Sequence, residues 1–424
     1  MTRQYWVETL GCPKNEVDSA KLVGTLVADG YQPAAGPETA DLVVVNTCAF
    51  VEAARQESID TVLALADVRR DGARLVVTGC MAERYGSELA EALPEADLVA
   101  GFGVPVTLAA KPAPGQPAGG GRTVPSFDLL NLPRPPASAP WAYVKVAEGC
   151  DRLCGFCAIP SFRGKQRSRT IESILDEVDA LAAAEIVLVA QDLASYGRDV
   201  GRRGDIIPLV AEVSRRVPRT RLLYLYPSEL SDALIEVMAD TGCAYFDLSL
   251  QHASRHHLRR MRRWGDRARF EERIETIRRR CPEAAFRSSF IVGYPGETED
   301  DHDQLLGFLD TVQLDWAGFF PFSSEVGTHA ATLPDTVDPE LMAERLRECT
   351  ELQDRITARK RADLIGQTVE VLVDRPGIGR SHREAPEIDG IVRLPAEFSQ
   401  RLVGQFVKAT VTGAMGPDLE AVPA

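Results

Sequence analysis

The chain lacks any long uncharged apolar run, which excludes a membrane-spanning helix on length alone. Met1 to Leu10 lack the basic start and apolar centre of a secretory signal, which predicts a cytosolic protein with no membrane partner. Positive charge is in deficit: 48 Lys and Arg against 62 Asp and Glu leave a net charge of −14. That sign disfavours broad attraction to nucleic acid phosphates, leaves room for a local basic patch, and suits a basic protein partner. Internal repeats are absent beyond a strand–helix rhythm. What the chain does have is length and thiols. Its 424 residues exceed what one core supports, so two or three domains are expected. Its nine cysteines, without an export signal, argue for metal or redox use and against a disulfide frame.

Residues 1–110 alternate short apolar runs with amphipathic stretches, the pattern of parallel strands joined by helices. Strands are expected near Tyr5 to Leu10, Leu42 to Asn46, Leu75 to Thr78 and Leu98 to Gly101, with helices over Val17 to Ala28, Val51 to Val68 and Glu83 to Ala92. Residues 111–140 turn abruptly to Pro, Gly, Ala and Ser and read as a linker, long enough to let the first domain move unless docking orders it. Residues 141–361 then offer six strand candidates, most followed by a helix. Six βα units fall short of the eight that close a barrel, so an open, partial TIM-like (β/α)6 barrel is expected. Residues 362–424 carry short strands divided by Pro and Gly turns and predict a small β-barrel.

Cys150, Cys154 and Cys157 stand in the run Glu148-Gly149-Cys150-Asp151-Arg152-Leu153-Cys154-Gly155-Phe156-Cys157, directly after the first strand of the second domain. That is the carboxyl end of the strand, where barrel enzymes place their chemistry. The CxxxCxxC spacing packs three thiolates into one loop, able to face a common iron-sulfur cluster with one ligand fewer than the usual four. The iron left open can chelate the amino and carboxylate groups of S-adenosylmethionine and reduce its sulfonium. The alternative is a structural zinc loop, but a closed zinc site needs four ligands, and no fourth cysteine or histidine lies close by. With Phe156 just before the last cysteine, the spacing resembles the radical S-adenosylmethionine superfamily.

Cys12, Cys48 and Cys80 each follow one of the first three strand candidates, in Leu10-Gly11-Cys12, Thr47-Cys48 and Gly79-Cys80. In a parallel sheet the carboxyl ends lie along one edge, so these thiols should converge on a second open-iron cluster. The other reading is three small buried hydrophobes. Cys243, Cys281 and Cys349 have no matching pattern and read as packing residues.

The order of an α/β cysteine domain, a radical core and an end β-barrel resembles the methylthiotransferase family, whose end module is called TRAM. The short motifs Leu10-Gly11-Cys12-Pro13-Lys14-Asn15, Cys157-Ala158-Ile159-Pro160 with Arg163-Gly164-Lys165, Leu250-Gln251-His252-Ala253 and Val292-Gly293-Tyr294-Pro295-Gly296-Glu297-Thr298 are similar to one branch of it. This resemblance implies two 4Fe-4S clusters, S-adenosyl-L-methionine, an external electron donor and a sulfur source. It implies as substrate an aspartate β-carbon of small-subunit ribosomal protein number twelve, free or in the subunit. A sister branch modifies tRNA adenosine, and a non-catalytic iron-sulfur electron carrier is a reading from another class. From Arg361 to Ala424, seven basic against nine acidic residues give −2, poor for gripping RNA.

The resemblance also implies that Gly293, Pro295 and Gly296 expose backbone groups to S-adenosylmethionine, while a simple turn is the other reading. Gln191 and Asp192, at the end of the second strand of the core, contact cofactor or substrate by the same logic, or cap the next helix. Arg259, Arg260, Arg262 and Arg263 form a basic run that reads as a solvated helix face or a ribosome contact. His252, His256 and His257 carry no assignment.

Overall fold

A computed structural model describes residues 2–107 and 127–424. The first unit runs β1 (Gln4–Thr9), α1 (Pro13–Ala28), β2 (Gln32–Pro33), β3 (Leu42–Thr47), α2 (Glu52–Val68), β4 (Arg74–Gly79), α3 (Cys80–Ala92) and β5 (Leu98–Ala100). Its parallel sheet has the order β2-β1-β3-β4-β5. Every residue of central β3 is buried, as its unbroken Leu-Val-Val-Val run requires of a strand covered on both faces. Helix α1 starts four residues earlier than the apolar periodicity indicates, because Pro13 at its first position is already set for helix and Cys12 is its N-cap.

Of the Pro/Gly-rich stretch 111–140, residues 111–126 lie outside those described. The remainder is packed rather than loose: Leu129 and Leu130 are buried, and the Lys21 ammonium on α1 donates to the carbonyls of Leu130 and Leu132 at 2.8 and 3.0 Å. A lysine stem with buried apolar neighbours and a satisfied head anchors the segment.

The second unit contains β6 (Trp141–Lys145), β7 (Ala147–Glu148), α4 (Ile159–Arg163), β8 (Arg167–Ser168), α5 (Ile171–Leu181), β9 (Glu185–Val189), α6 (Ile206–Ser214), β10 (Arg219–Leu225), α7 (Asp232–Ala239), β11 (Tyr245–Gln251), α8 (Arg255–Arg260), α9 (Arg267–Arg280), β12 (Ala285–Val292), α10 (Glu299–Val312), β13 (Trp316–Pro321) and α11 (Pro339–Ala362). The six long strands form one open parallel sheet, β13-β12-β11-β10-β9-β6, so the partial barrel is observed. Along β9, Ile186 and Leu188 pack toward the helices while Val187 and Val189 face the other way, the period of two that a strand imposes. The short β7 and β8 pair antiparallel and close the cysteine loop at its base.

The third unit is a closed barrel of β14 (Thr368–Arg375), β15 (Ile378–Arg380), β16 (Val392–Arg393), β18 (Asp418–Pro423) and β17 (Phe406–Met415), with α12 (Ala396–Ser399) between β16 and β17. The connection between β15 and β16 reaches away from this barrel into the second unit. Ala385 joins Tyr143, Val187, Leu223, Tyr245 and Trp316 on the sheet face turned from the helices, and Tyr143 donates to the Pro386 carbonyl at 2.9 Å. At the amino ends of β9 and β10, Glu185 accepts from Arg221 at 2.7 Å and Arg380 at 2.9 Å. Burial would raise the Glu185 carboxyl, yet Arg380, Arg221 and Arg219 hold it down at about 2.

Candidate cluster sites

The loop after β6 is pinned from several sides. Cys150 N–H donates to the Gly164 carbonyl at 3.1 Å, and Gly155 donates to the Met261 carbonyl at 2.7 Å while its own carbonyl accepts from Ala330 at 2.8 Å. Arg152 reaches across to Asp192 at 2.6 Å and Ser195 at 3.0 Å, with its guanidinium 3.8 Å from the Tyr226 ring centre. These contacts fix the loop's shape with its three thiols on it, while Leu153 at its tip is 77% exposed. Burial pushes the Cys150 thiol up to about 11 and the Cys157 thiol up to about 12, so metal loading must expel their protons.

Gln191 and Asp192 follow β9 and stand beside this loop. Gln191 donates to Glu148 at 2.7 Å, but its Oε1 atom and the Oδ1 atom of Asp192 are buried with no protein partner. Buried acceptors without donors are costly, so both oxygens fit a donor that the protein itself does not supply. The turn Gly293 to Gly296 lies at the end of β12, and several of its polar groups pair within the protein. Gly293 N–H donates to Glu297 at 2.6 Å, Gly296 N–H to the Asp335 carbonyl at 2.8 Å, and the Pro295 carbonyl accepts from Arg260 at 3.2 Å. The Tyr294 hydroxyl donates to the Arg260 carbonyl at 3.0 Å.

Cys12, Cys48 and Cys80 sit at the carboxyl ends of β1, β3 and β4, which are neighbours in the sheet. Gly11 lies so close to Cys48 that a β-carbon there would come 2.9 Å from its sulfur. Gly79 has φ +92°, and a β-carbon would meet the Thr47 backbone N and O at 2.6 Å. Only glycine fits that junction. Burial would raise Cys12, yet Lys14 and Arg163 hold it below the usual thiol range; burial and the neighbouring Cys80 push Cys48 up to about 11.

Among the described residues, His252, His257 and Glu297 bring three potential ligand atoms within 4.8 Å of one another. The His252 and His257 rings, 4.5 Å apart, lie fully buried, and burial lowers His257 to about 4, so both stay neutral. Arg345 already donates to Glu297 at 3.3 Å.

The two trios are joined by Arg163 on α4, six residues after Cys157. Its guanidinium donates to Glu148 at 2.9 Å, to Asn15 at 2.7 Å, to Asp18 at 3.3 Å and to the Cys80 sulfur at 3.1 Å. Lys145 on β6 pairs with Asp18 and, at 2.6 Å, with Glu148. Burial would raise Glu148, but Arg163 and Lys145 hold it far below the carboxylate range. A second clasp joins Arg55 and Arg84 of the first unit to buried Glu325 at 2.6 and 2.7 Å. Sequence reading passed over Glu148, Lys145 and Asp18. The available signal was Lys145 itself, a charge inside an apolar strand, because buried charges are paired.

Among the described residues, no helix is long and apolar enough to cross a membrane. Residues 4–101 match the model of the Uncharacterized protein family UPF0004, residues 144–309 that of the Radical SAM superfamily, and residues 365–423 that of the TRAM domain. The chain is 42% identical to the ribosomal protein uS12 methylthiotransferase RimO of Streptomyces coelicolor, over 100% of this chain and 97% of that protein. It is 42% identical to the same enzyme of Moorella thermoacetica, over 96% of each chain. A solved radical S-adenosylmethionine methyltransferase, TsrM from Kitasatospora setae, is similar over 75% of this chain and 73% of that one, at a TM-score of 0.49 and 14% identity.

Proposed function

The chain belongs to the RimO family of ribosomal protein uS12 methylthiotransferases, and we propose that it attaches a methylthio group to the β-carbon of an aspartate in that ribosomal protein. The observation that carries this reading is the approach of two thiol trios on facing sheet edges, with Arg163 touching Cys80 of one while it stands on the helix that follows the other. Cys150, Cys154 and Cys157 would hold one 4Fe-4S cluster, and Cys12, Cys48 and Cys80 a second. Bound there, these groups supply the electron that splits S-adenosylmethionine and an anchorage for the sulfur to be transferred.

The protein's own residues shape and dry the space between them. Arg152, clamped by Asp192 and Ser195, keeps the radical loop in place, and the unspent oxygens of Gln191 and Asp192 offer acceptors to the ammonium of S-adenosylmethionine. The Gly293, Pro295 and Gly296 turn backs that pocket. The Arg163 and Glu325 clasps press the first unit against the core, which shields a carbon radical from solvent. The division into residues 1–110, 111–140, 141–361 and 362–424 belongs to this reading, as do an external electron donor, a sulfur source and a cytoplasmic site of action.

Offering the anaerobically reconstituted enzyme uS12 and tRNA side by side, with reductant, S-adenosylmethionine and a sulfur source, tests it by mass spectrometry of both. Methylthiolated uS12 is expected. Modification of tRNA alone overturns the substrate, and failure to form 5′-deoxyadenosine overturns the radical chemistry in favour of an electron carrier. Cys12→Ala is expected to stop methylthio transfer while 5′-deoxyadenosine still forms; transfer at the full rate removes the role of the first trio.

A further inference from the structure

Lys14, two residues after Cys12, is set apart from the other buried cations. Every other buried lysine or arginine among the described residues has a carboxylate within 4.0 Å, and Lys14, 9% exposed, has none. Its ammonium instead lies 3.4 Å from the ring centre of Tyr224, at the carboxyl end of β10 in the radical core. A cation–π contact offsets part of the desolvation of an ammonium but supplies no carboxylate; the Cys12 thiol is the acidic group beside it.

Tyr224 is itself held in a costly conformation. It has φ +66°, in a region that L-residues seldom occupy, at a point where the register of β10 against β11 shifts between Leu222 and Leu225. Its N–H donates to Asp247 at 2.8 Å, and Arg287 holds that aspartate at 3.1 Å, so the bulge is braced from behind. Bulges of this kind re-aim a side chain, and strained residues concentrate at working sites. Here the bulge carries the aromatic ring to the one buried cation that lacks a carboxylate, beside the first cysteine trio.

Resting on the function proposed above, we infer that Lys14 and Tyr224 form the subsite for the carboxylate of the residue to be modified. The ammonium supplies the charge and the ring the wall, so that an acidic side chain is retained and its neutral amide is not. Giving a buried cation the carboxylate it lacks makes this recognition selective, because a neutral amide brings no charge to it.

The test uses full-length reconstituted enzyme with uS12 carrying either its natural aspartate or asparagine at the target position. Lys14→Met is expected to raise KM for the aspartate substrate tenfold or more and to narrow the preference for aspartate over asparagine, with KM for S-adenosylmethionine and iron content at wild-type levels. Lys14→Arg is expected to restore most of the preference. An unchanged KM and preference overturns the inference, as does a loss that follows iron content, which would make Lys14 a support of the trio. A rise confined to KM for S-adenosylmethionine also overturns it, because the carboxylate recognised would then be the cofactor's. If wild-type enzyme leaves uS12 unmodified, the failure lies with the proposed function instead.

Discussion

Arg163 holds more of the site together than any ligand does. It is buried, and its two terminal nitrogens donate to Glu148, Asn15, Asp18 and Cys80, a task that a planar fork performs and a point charge does not. Arg163→Leu leaves two buried carboxylates, Asp18 and Glu148, to Lys145 alone, the breaking of a buried ion-pair network that costs about 3–5 kcal/mol. Thermal unfolding is expected to fall accordingly, and Arg163→Lys to recover only part of it. The network escapes a reading of the chain, although Arg163 stands in a motif, because Asp18, Lys145 and Arg163 are far apart in sequence and meet only after folding. The cysteines were legible for opposite reasons: one trio announces itself by local spacing, and the other by recurring after successive strands. Lys14 was visible in a motif, but its lack of a carboxylate was not.

At the scale of elements, the strand–helix alternation foretold all six long strands of the core and the open sheet they make, since buried parallel strands and amphipathic helices have distinct periods. What it missed were the short pieces that shape the site: β7 and β8 at the base of the loop, and α4, which are too brief for any periodicity. The junction of β4 with α3 makes its own prediction. Gly79→Ala drives a methyl group against Thr47 and Asn46 and must displace Cys80, the next residue. Iron content after reconstitution is expected to drop by about half, with the Cys150 loop still loaded. Full iron content would mean that the junction yields without moving its thiol.

Across the whole molecule, buried ion pairs bridge the three units, Asp18 to Lys145 and Arg163, and Glu185 to Arg380. Glu16 on α1 faces Glu387 from the connection between β15 and β16; burial, and then this second carboxylate, push Glu16 up to about 8. A carboxyl raised in the folded state binds its proton more tightly there than in the unfolded chain, whose ordinary value is 4.5. Stability contributed by this pair is therefore complete below that value, declines as pH climbs toward about 8, and is gone above it. Denaturant midpoints measured across this window are expected to fall for the wild type, and Glu16→Gln to flatten the slope. No pattern in the chain forecast the meeting of α1 with the end barrel, because it joins residues from opposite ends of the sequence. That same connection has a consequence for traffic. With Ala385 seated against the inner sheet face and Arg219, Arg221 and Arg380 sealed around Glu185, the bore of the core is stoppered at its foot. A segment that enters at the cysteine rim therefore finds the foot of the sheet closed and cannot pass through it.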